Sequence, residues 1–238
     1  AKVSQIKRMT CDSSLYDMKE NKIKNSRILL LIQNSRNLAL LSKFLDNDYV
    51  AHREYNKSKN YDLILVDSYN YKTEFKLIKK LKKKQNPIFL PVILMHGKKD
   101  VINYSGKMMN IANEYILTPV KKEVLKERIK RMLKTRELTK DNYQIVNKYK
   151  KIFDSINDML FIHKIDFKNR TFYPFLEINK KAIIKTGYSK EELLKTKPTD
   201  IVSNDKKSHF FNYYINKLIK ENEVVVEAQL IKKDNETI

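Results

Sequence analysis

The chain has 238 residues and a net charge of +21 at pH 7, from 49 Lys or Arg and 28 Asp or Glu. Its single cysteine, Cys11, excludes an intramolecular disulfide and a cysteine-based zinc site, and its scattered histidines contain no His-x-x-x-His metal pair. The longest aliphatic run, Ile28–Ile32, is too short to cross a bilayer, and residues 1–27 lack the apolar centre of a signal peptide. We therefore expect a cytoplasmic protein without a membrane span.

The excess of positive charge lies in the first two thirds of the chain. Residues 1–157 carry a net charge of +18, whereas residues 158–238 carry only +3. Basic residues are densest in Lys76–Lys84 and Lys121–Arg136, where they share a helical pattern with apolar residues. Such segments either bind polyanions or form the solvated face of an amphipathic helix. No recognition helix or aromatic strand pair supports specific nucleic-acid binding, which is therefore the weaker interpretation.

After an N-terminal extension over residues 1–26, short apolar runs alternate with helical patterns. Wholly apolar runs of this length are typical of strands buried on both faces of a sheet. The predicted strands are Ile28–Ile32, Tyr49–His52, Leu63–Val66, Phe89–Met95 and Tyr115–Leu117. Apolar residues at helical spacing predict helices between several of them. This alternation predicts an α/β fold with a doubly wound, parallel five-stranded sheet over residues 27–136.

A long helical pattern follows Pro119, a residue type that is favoured in the first turn of a helix. Apolar residues recur at helical spacing from Val120 to Ile156, and no Gly or Pro interrupts residues 120–173. The pattern weakens at Thr139–Asn142, so either one long helix or a twice-interrupted helix is expected. Residues 137–157 form a helical linker in this interpretation, and the length of its apolar stripe predicts a homodimer.

From residue 158 onwards the pattern changes to strands with helices inserted between them. The predicted strands are Met159–Ile165, Phe172–Ile178 and Glu223–Ile231, and the predicted helices are Asn179–Thr186 and Phe210–Ile219. Ser189 and Glu192 have the spacing of a capping box, which predicts a further helix start. Residues 232–236 are predicted to form a turn. Residues 158–238 therefore predict an α+β domain with an antiparallel sheet.

Two resemblances to known families rest on these segments. The first half contains, in the order found in receiver domains, ILLLIQNSRNLALLSKFL, YDLILVD, FLPVILM and YILTPVKKEVLKERI, and residues 27–136 resemble a response-regulator receiver domain. The second half contains IFDSINDMLFIHKID, FLEINKKAIIKTGYSKEELL and VVVEAQLIKKDNETI, and residues 150–238 resemble a PAS sensor domain. The resemblances imply a flavodoxin-like fold followed by a PAS fold, as in the N-terminal part of a prokaryotic sensor histidine kinase.

The receiver resemblance implies that Asp67 occupies the position of the phosphoryl acceptor. In the family, a metal-binding acid pair follows the first strand, a hydroxyl residue follows the fourth strand, and a lysine precedes the proline after the fifth strand. The matching positions here are Gln33, Asn34, His96 and Thr118, none of which supplies the family's group. Phosphoryl transfer needs Mg²⁺, which is bound by carboxylate oxygens. We therefore expect a degenerate receiver that binds no Mg²⁺ and is not phosphorylated at Asp67.

The predicted receiver-like domain is also short in one place. Only ten residues separate its second predicted strand, Tyr49–His52, from its third, Leu63–Val66, and a full helix with two loops hardly fits. We therefore expect a docking or dimerisation element rather than a phosphorylation switch.

The PAS resemblance implies a pocket for a ligand or cofactor between the sheet and its helices. Candidate lining residues are Phe161, His163, Phe175, Phe210 and Tyr214, with packing in the core as the alternative role for these rings. The residues identify no specific ligand.

A PAS sheet has five strands in the family, and the chain accounts for three. We therefore expect the natural protein to continue past Ile238, first completing the sheet and then reaching an effector. The leading hypothesis is a signal-transduction module that controls this effector, a histidine kinase core, with kinase or regulator proteins as partners. The chain has three glycines and no phosphate-binding loop, so we expect it not to be an enzyme itself. The alternative is a nucleic-acid-binding regulator that uses the basic N-terminal half.

Overall fold

A computed structural model describes residues 23–98, 110–203, 207–225 and 227–238. The chain divides into two compact units, Ala1–Gln144 and Ile145–Ile238, and this division falls inside the predicted linker, residues 137–157. Most of the predicted N-terminal extension lies outside the described residues. Within the described residues, no helix has the length and apolar character needed to cross a membrane.

The first unit contains a five-stranded sheet in which all neighbouring strands are parallel. Its strands are β1 (Arg27–Leu31), β2 (Val50–His52), β3 (Leu63–Asp67), β4 (Val92–Gly97) and β5 (Glu114–Thr118). The strand order is β2-β1-β3-β4-β5, which is a doubly wound order of the flavodoxin-like kind. The predicted parallel five-stranded α/β fold is therefore confirmed.

Helices cover both faces of this sheet, as the buried apolar residues of its central strands require. They are α1 (Ser35–Leu45), α2 (Ser68–Thr73), α3 (Phe75–Gln85) and α4 (Lys122–Ser155). Side chains of α1 and α4 share a core with Ile28 and Leu30 of β1, whereas side chains of α2 and α3 share a second core with Leu29. Residues 53–62, all of which are described, contain no helix, so the short connection between β2 and β3 is as predicted.

The guanidinium of Arg136 in α4 is buried where β3 and β4 begin. Its Nε donates a hydrogen bond to Asp62 Oδ1 at 3.0 Å. Its Nη1 donates to the Phe89 carbonyl at 2.6 Å, and its Nη2 donates to Gln85 Oε1 at 2.5 Å. Lys140 places a second cation 3.2 Å from Asp62. Because these acceptors lie in the segments that precede β3 and β4, Arg136 ties α4 to the amino-terminal edge of the sheet.

Asp62 stays ionised because its partners outweigh the cost of its burial. Burial by itself raises the pKa of Asp62, but the Arg27 backbone amide at 3.0 Å and the charges of Lys140 and Arg136 bring that pKa below its usual value. A carboxyl group whose pKa falls on folding stabilises the folded state above its unfolded-state pKa of about 4. This contribution is lost as the pH falls through the lowered pKa, so acid weakens the attachment of α4.

Helix α4 is one continuous helix of 34 residues, so the uninterrupted form of the two predicted forms is observed. Its buried residues all lie in its first half, and they are Leu125, Ile129, Leu133 and Arg136. Several of its later apolar residues are exposed, namely Leu138, Tyr143, Ile145, Val146, Tyr149 and Ile152. Dimerisation through this stretch remains a prediction.

The second unit contains a two-stranded antiparallel sheet and a set of helices. Its strands are β6 (Phe161–Asp166) and β7 (Thr171–Ile178), and its helices are α5 (Lys180–Thr186), α6 (Lys190–Leu193), α7 (Pro198–Ile201) and α8 (Lys207–Glu221). Ser189 and Glu192 form the predicted capping box. The Glu192 carboxylate accepts from the Ser189 amide at 2.8 Å, and the Ser189 hydroxyl accepts from the Glu192 amide at 3.2 Å.

The prediction of a strand over Glu223–Ile231 is wrong for the residues that the structure describes. In this segment only Leu230 and Ile231 form β-bridges, each with a single partner residue. The prediction followed a run of β-branched residues, but Val225 is 92% exposed. Without a buried face, strand propensity alone does not fix a register.

The predicted turn over residues 232–236 is confirmed. The Lys232 amide donates to the Glu236 carbonyl at 2.7 Å, and Leu230 and Ile238 exchange two backbone hydrogen bonds of 2.9 Å each. The last residues therefore pair back on Leu230 and Ile231. In the described residues the antiparallel sheet of this unit has two strands, where three were predicted.

We predict that Arg136→Met destabilises the first unit by about 3 kcal/mol, because the partly buried Asp62 carboxylate loses one of its two cations and the Phe89 carbonyl and Gln85 side chain lose their donor. Urea unfolding followed by circular dichroism measures this change. The control is Lys134→Met, which removes an exposed cation from the same helix and is expected to change stability by less than about 0.5 kcal/mol. Equal effects of the two substitutions would contradict the role of Arg136.

Candidate functional site

A cavity of about 700 Å³ opens at the carboxyl ends of the parallel strands. Strands β1 and β3 are neighbours there, but the chain continues from β1 into α1 on one face of the sheet and from β3 into α2 on the other. Open α/β sheets commonly bind ligands at such a point. The lining residues are Ile32, Gln33, Asn37, Leu40, Leu41, Phe44, Asp67, Ser68, Tyr69, Met95, Gly97, Thr118, Pro119, Val120, Lys122 and Leu125.

Asp67 lies at the centre of this edge, at the end of β3. Its Oδ2 accepts a hydrogen bond from the Gln33 backbone amide at 2.7 Å, and its Oδ1 accepts one from the Asn70 amide at 2.8 Å. The second bond makes Asp67 the N-cap of α2. Both carboxylate oxygens therefore bind backbone amides, and Asp67 connects the loop after β1 to the first turn of α2.

The structure brings together some of the residues predicted for this site. Gln33, Asp67 and Thr118 all line the cavity. Asn34 instead caps α1, because its side chain accepts from the Asn37 amide at 2.9 Å. His96 does not line the cavity, and its carbonyl accepts from the Thr118 hydroxyl at 3.1 Å.

Charged groups are scarce in the cavity. Among its described lining residues, Asp67 is the one carboxylate and Lys122 is the one cation. Nowhere in the described residues do three or more His, Cys, Asp or Glu side chains come together in a way that could hold a metal ion. The cavity thus offers a single carboxylate where a Mg²⁺ site for phosphoryl transfer uses several oxygen ligands.

Sequence reasoning missed two features of the cavity. The first is Lys122, the first residue of α4, which lines the cavity. It lies four residues after Thr118 in the sequence, but its position beside the cavity depends on how the chain turns at Pro119. The other missed feature is an apolar wall formed by Leu40, Leu41 and Phe44 of α1. Leu40 is 63% exposed. The sequence of α1 alone does not predict this exposure, because it does not show which face of the helix packs on the sheet.

The aromatic residues predicted for a PAS pocket come together in the second unit. Phe161 and Phe175 have ring centroids 4.9 Å apart, and His163 lies 6.1 Å from Phe175. Phe172 connects this group to α8, because its ring is 6.1 Å from that of Tyr214. The side chain of Phe210 lies outside the described residues. These rings contact one another directly, which favours core packing for them, and a ligand pocket remains a prediction.

Asn179, a buried residue between β7 and α5, organises the start of the second unit. Its Oδ1 accepts from the Leu160 amide at 3.1 Å and from the Ala182 amide at 3.0 Å. Its Nδ2 lies within 3.4 Å of the carbonyls of Phe153, Ile156 and Asp158. One amide side chain therefore connects the end of α4 to β6 and to the first turn of α5.

The end of α4 has a second attachment to the sheet of this unit. The Tyr149 hydroxyl donates to Glu177 Oε2 at 2.8 Å, and this hydrogen bond raises the pKa of Tyr149. The Tyr149 ring also stacks on that of Phe153, with centroids 5.6 Å apart. Both contacts are at the surface, so they add less stability than the buried Asn179.

No protein-family model matches the chain, and no curated protein matches it either. Among solved structures, it is similar to NtrX from Brucella abortus in complex with ADP, at 19% identity and a TM-score of 0.43, over 57% of this chain and 31% of that chain. It therefore spans about a third of the length of that protein.

Two single-domain structures are similar to about half of the chain. One is a response regulator receiver domain protein from Clostridium thermocellum, at 19% identity and a TM-score of 0.38, over 48% of this chain and 98% of that chain. The other is a CheY-like response regulator receiver domain protein from Methanospirillum hungatei JF-1, at 20% identity and a TM-score of 0.36, over 48% of this chain and 97% of that chain. These similarities assign no function, and the strand order itself identifies the fold.

We predict that Asp67→Ala destabilises the first unit by about 2 kcal/mol, because two backbone amides lose their acceptor and α2 loses its N-cap. Asp67→Asn is expected to lose less stability than Asp67→Ala, because the carbonyl oxygen of the asparagine side chain keeps one of the two hydrogen bonds. Thermal unfolding by circular dichroism measures both changes. Glu74→Ala is the matched control, because Glu74 precedes α3 without making a side-chain cap bond. A control as destabilised as Asp67→Ala would argue against the proposed cap.

Proposed function

We propose that the chain is a signal-transduction module in which a receiver-like unit that accepts no phosphoryl group is followed by a PAS-like sensor unit. The observation that carries this proposal is the state of Asp67, whose two carboxylate oxygens both bind backbone amides. The chain itself has a regulatory role in this proposal, and it has no catalytic role.

The chemistry of phosphoryl transfer explains why the state of Asp67 matters. An attacking carboxylate oxygen needs a free lone pair directed at phosphorus, and the transferred group needs cations around its oxygens. Here two amides hold the Asp67 carboxylate in place, and Lys122 is the one cation among the described residues that line the cavity. The two amides stabilise the charge of the carboxylate, but they provide no cation for the transferred group.

The first unit is suited to docking a protein partner. Leu40, which is 63% exposed, and the partly buried Leu41, Phe44 and Val120 give one side of the cavity an apolar surface. Apolar side chains of a partner would bury this surface, while Asp67 and Lys122 at the same edge would fix its orientation. We propose a kinase or regulator protein as that partner.

The second unit supports the sensor part of the proposal through its local architecture. It combines an antiparallel hairpin with helices that begin at Asn179 and Ser189, the landmarks on which the PAS resemblance rests. We propose that this unit responds to a ligand or cofactor, and that the response controls an effector, a histidine kinase core, in a cytoplasmic protein. The cluster formed by Phe161, His163 and Phe175 is the proposed place of that response.

The exposed stripe on α4 supports a homodimer. Ile145, Tyr149 and Ile152 are spaced by four and three residues and are all exposed, and Leu138 lies seven residues before Ile145. Apolar residues at alternating spacings of three and four form the seam of a coiled coil. A second copy of the same helix would bury this seam.

We predict that acetyl phosphate with Mg²⁺ adds no phosphoryl group to the full chain, because backbone amides hold both oxygens of the Asp67 carboxylate and the described cavity lining has no second carboxylate to bind Mg²⁺. Intact-mass spectrometry measures this directly. The parallel control is a receiver domain of known phosphorylation treated in the same tube. Addition of one phosphoryl group to the wild type, absent from Asp67→Asn, would overturn the proposal.

We predict that the chain is a dimer and that the double substitution Ile145→Glu and Ile152→Glu converts it to a monomer, because it places charges in the seam. Light scattering at several concentrations measures the mass. The control pair is Gln144→Glu and Lys148→Gln, which makes the same change in net charge on the same helix outside the seam. A wild-type chain that stays monomeric at high concentration would refute the dimer.

A further inference from the structure

We infer that the solvent face of α3 is a binding surface for the phosphate backbone of double-stranded nucleic acid. This lysine face consists of Lys76, Lys79, Lys80, Lys83 and Lys84, all of which are exposed. Helix α3 has no acidic residue of its own. From its first to its last lysine, the face extends for about 12 Å along the helix axis.

The structure distinguishes α3 from the other basic segment of the chain. Several cations of α4 have carboxylate partners from elsewhere in the first unit. Lys126 lies 2.7 Å from Asp48, and Arg128 and Arg131 both pair with Glu114. The pairs of Arg136 and Lys140 with Asp62 continue this pattern.

No member of the lysine face has such a partner among the described residues. None of them takes part in an ion pair there. Lysines three or four residues apart on one helix repel each other, so the face opposes folding of the helix that carries it. An anionic partner would relieve this repulsion.

Packing of α3 fixes which of its groups can reach a partner. Ile78 and Leu81 are buried in the core under the sheet. Lys82 turns inward, where its Nζ donates to the Ile111 carbonyl at 2.8 Å and to Asn113 Oδ1 at 2.9 Å. The apolar side of α3 therefore packs against the core of the first unit, and the helix has no apolar face free to enter a lipid bilayer.

The chemistry of the face favours a nucleic-acid backbone over a protein. It contains only ammonium groups, without Arg or aromatic residues, and lysine is depleted at protein–protein interfaces whereas Arg and aromatic residues are enriched. A duplex presents closely spaced phosphates that point charges can bind. Because the face carries no group suited to reading base edges, binding would be independent of sequence.

The experiment compares the full-length wild type with the variant K76Q/K80Q/K83Q. Fluorescence anisotropy of a labelled mixed-sequence DNA duplex measures affinity between about 50 and 200 mM salt. We expect the slope of log affinity against log salt to become shallower by about 2.7 in the variant, as three phosphate contacts are lost. The control K148Q/K150Q/K151Q removes three exposed lysines from α4 and is expected to keep the wild-type slope.

Three outcomes would overturn the inference. They are no binding of the wild type to the duplex, equal loss in both triple variants, and sedimentation with phosphatidylcholine vesicles containing about 30% phosphatidylserine in place of DNA binding. Circular dichroism of the variants confirms that these exposed substitutions leave the fold intact. A shallower slope confined to K76Q/K80Q/K83Q supports it.

Discussion

The buried guanidinium of Arg136 is the interaction on which the first unit most depends. An apolar side chain could cover the same part of the sheet, but it would allow α4 to pack at several positions along the strands. Arg136 allows only one position of α4, because its donors bind Asp62, Gln85 and the Phe89 carbonyl in fixed directions. Buried ion pairs add little net stability, and specifying one alignment is the role that best explains this one. With α4 aligned in this way, Lys122 at its start reaches the opposite edge of the sheet.

At that opposite edge, Asp67 is the one carboxylate among the described residues that line the cavity. In this chain the loop after β1 presents a backbone amide to Asp67 in place of acidic side chains. The carboxylate is thereby stabilised without a cation, and the two halves of the doubly wound sheet are connected at the point where their helices separate.

How far the sequence predicts this structure depends on the range of the interactions involved. The run Ile28–Ile32 predicts a strand buried on both faces, because consecutive residues of a strand point to opposite faces and all five residues are apolar. The absence of a helix between β2 and β3 follows from the length of their connection, residues 53–62, alone. Val225 lies in a run with the composition of a strand, but it is 92% exposed, and a local pattern contains no information about which segments will pair. The same limit applies to charge, since the carboxylate that neutralises Lys126 comes from Asp48, far away in the sequence.

Asn179 has a consequence for how the second unit opens. Its single side chain accepts from the amides of Leu160, just before β6, and Ala182 in α5, and it donates to the carbonyls of Phe153 in α4 and Asp158 after it. If any one of these segments frays, the buried amide and the remaining groups lose partners that water cannot readily replace. The three segments should therefore exchange their amide hydrogens as one cooperative opening unit, with a shared opening free energy and no separate fraying of the helix end. Loosening of the hairpin would then also loosen the end of α4, because the two share the Asn179 side chain.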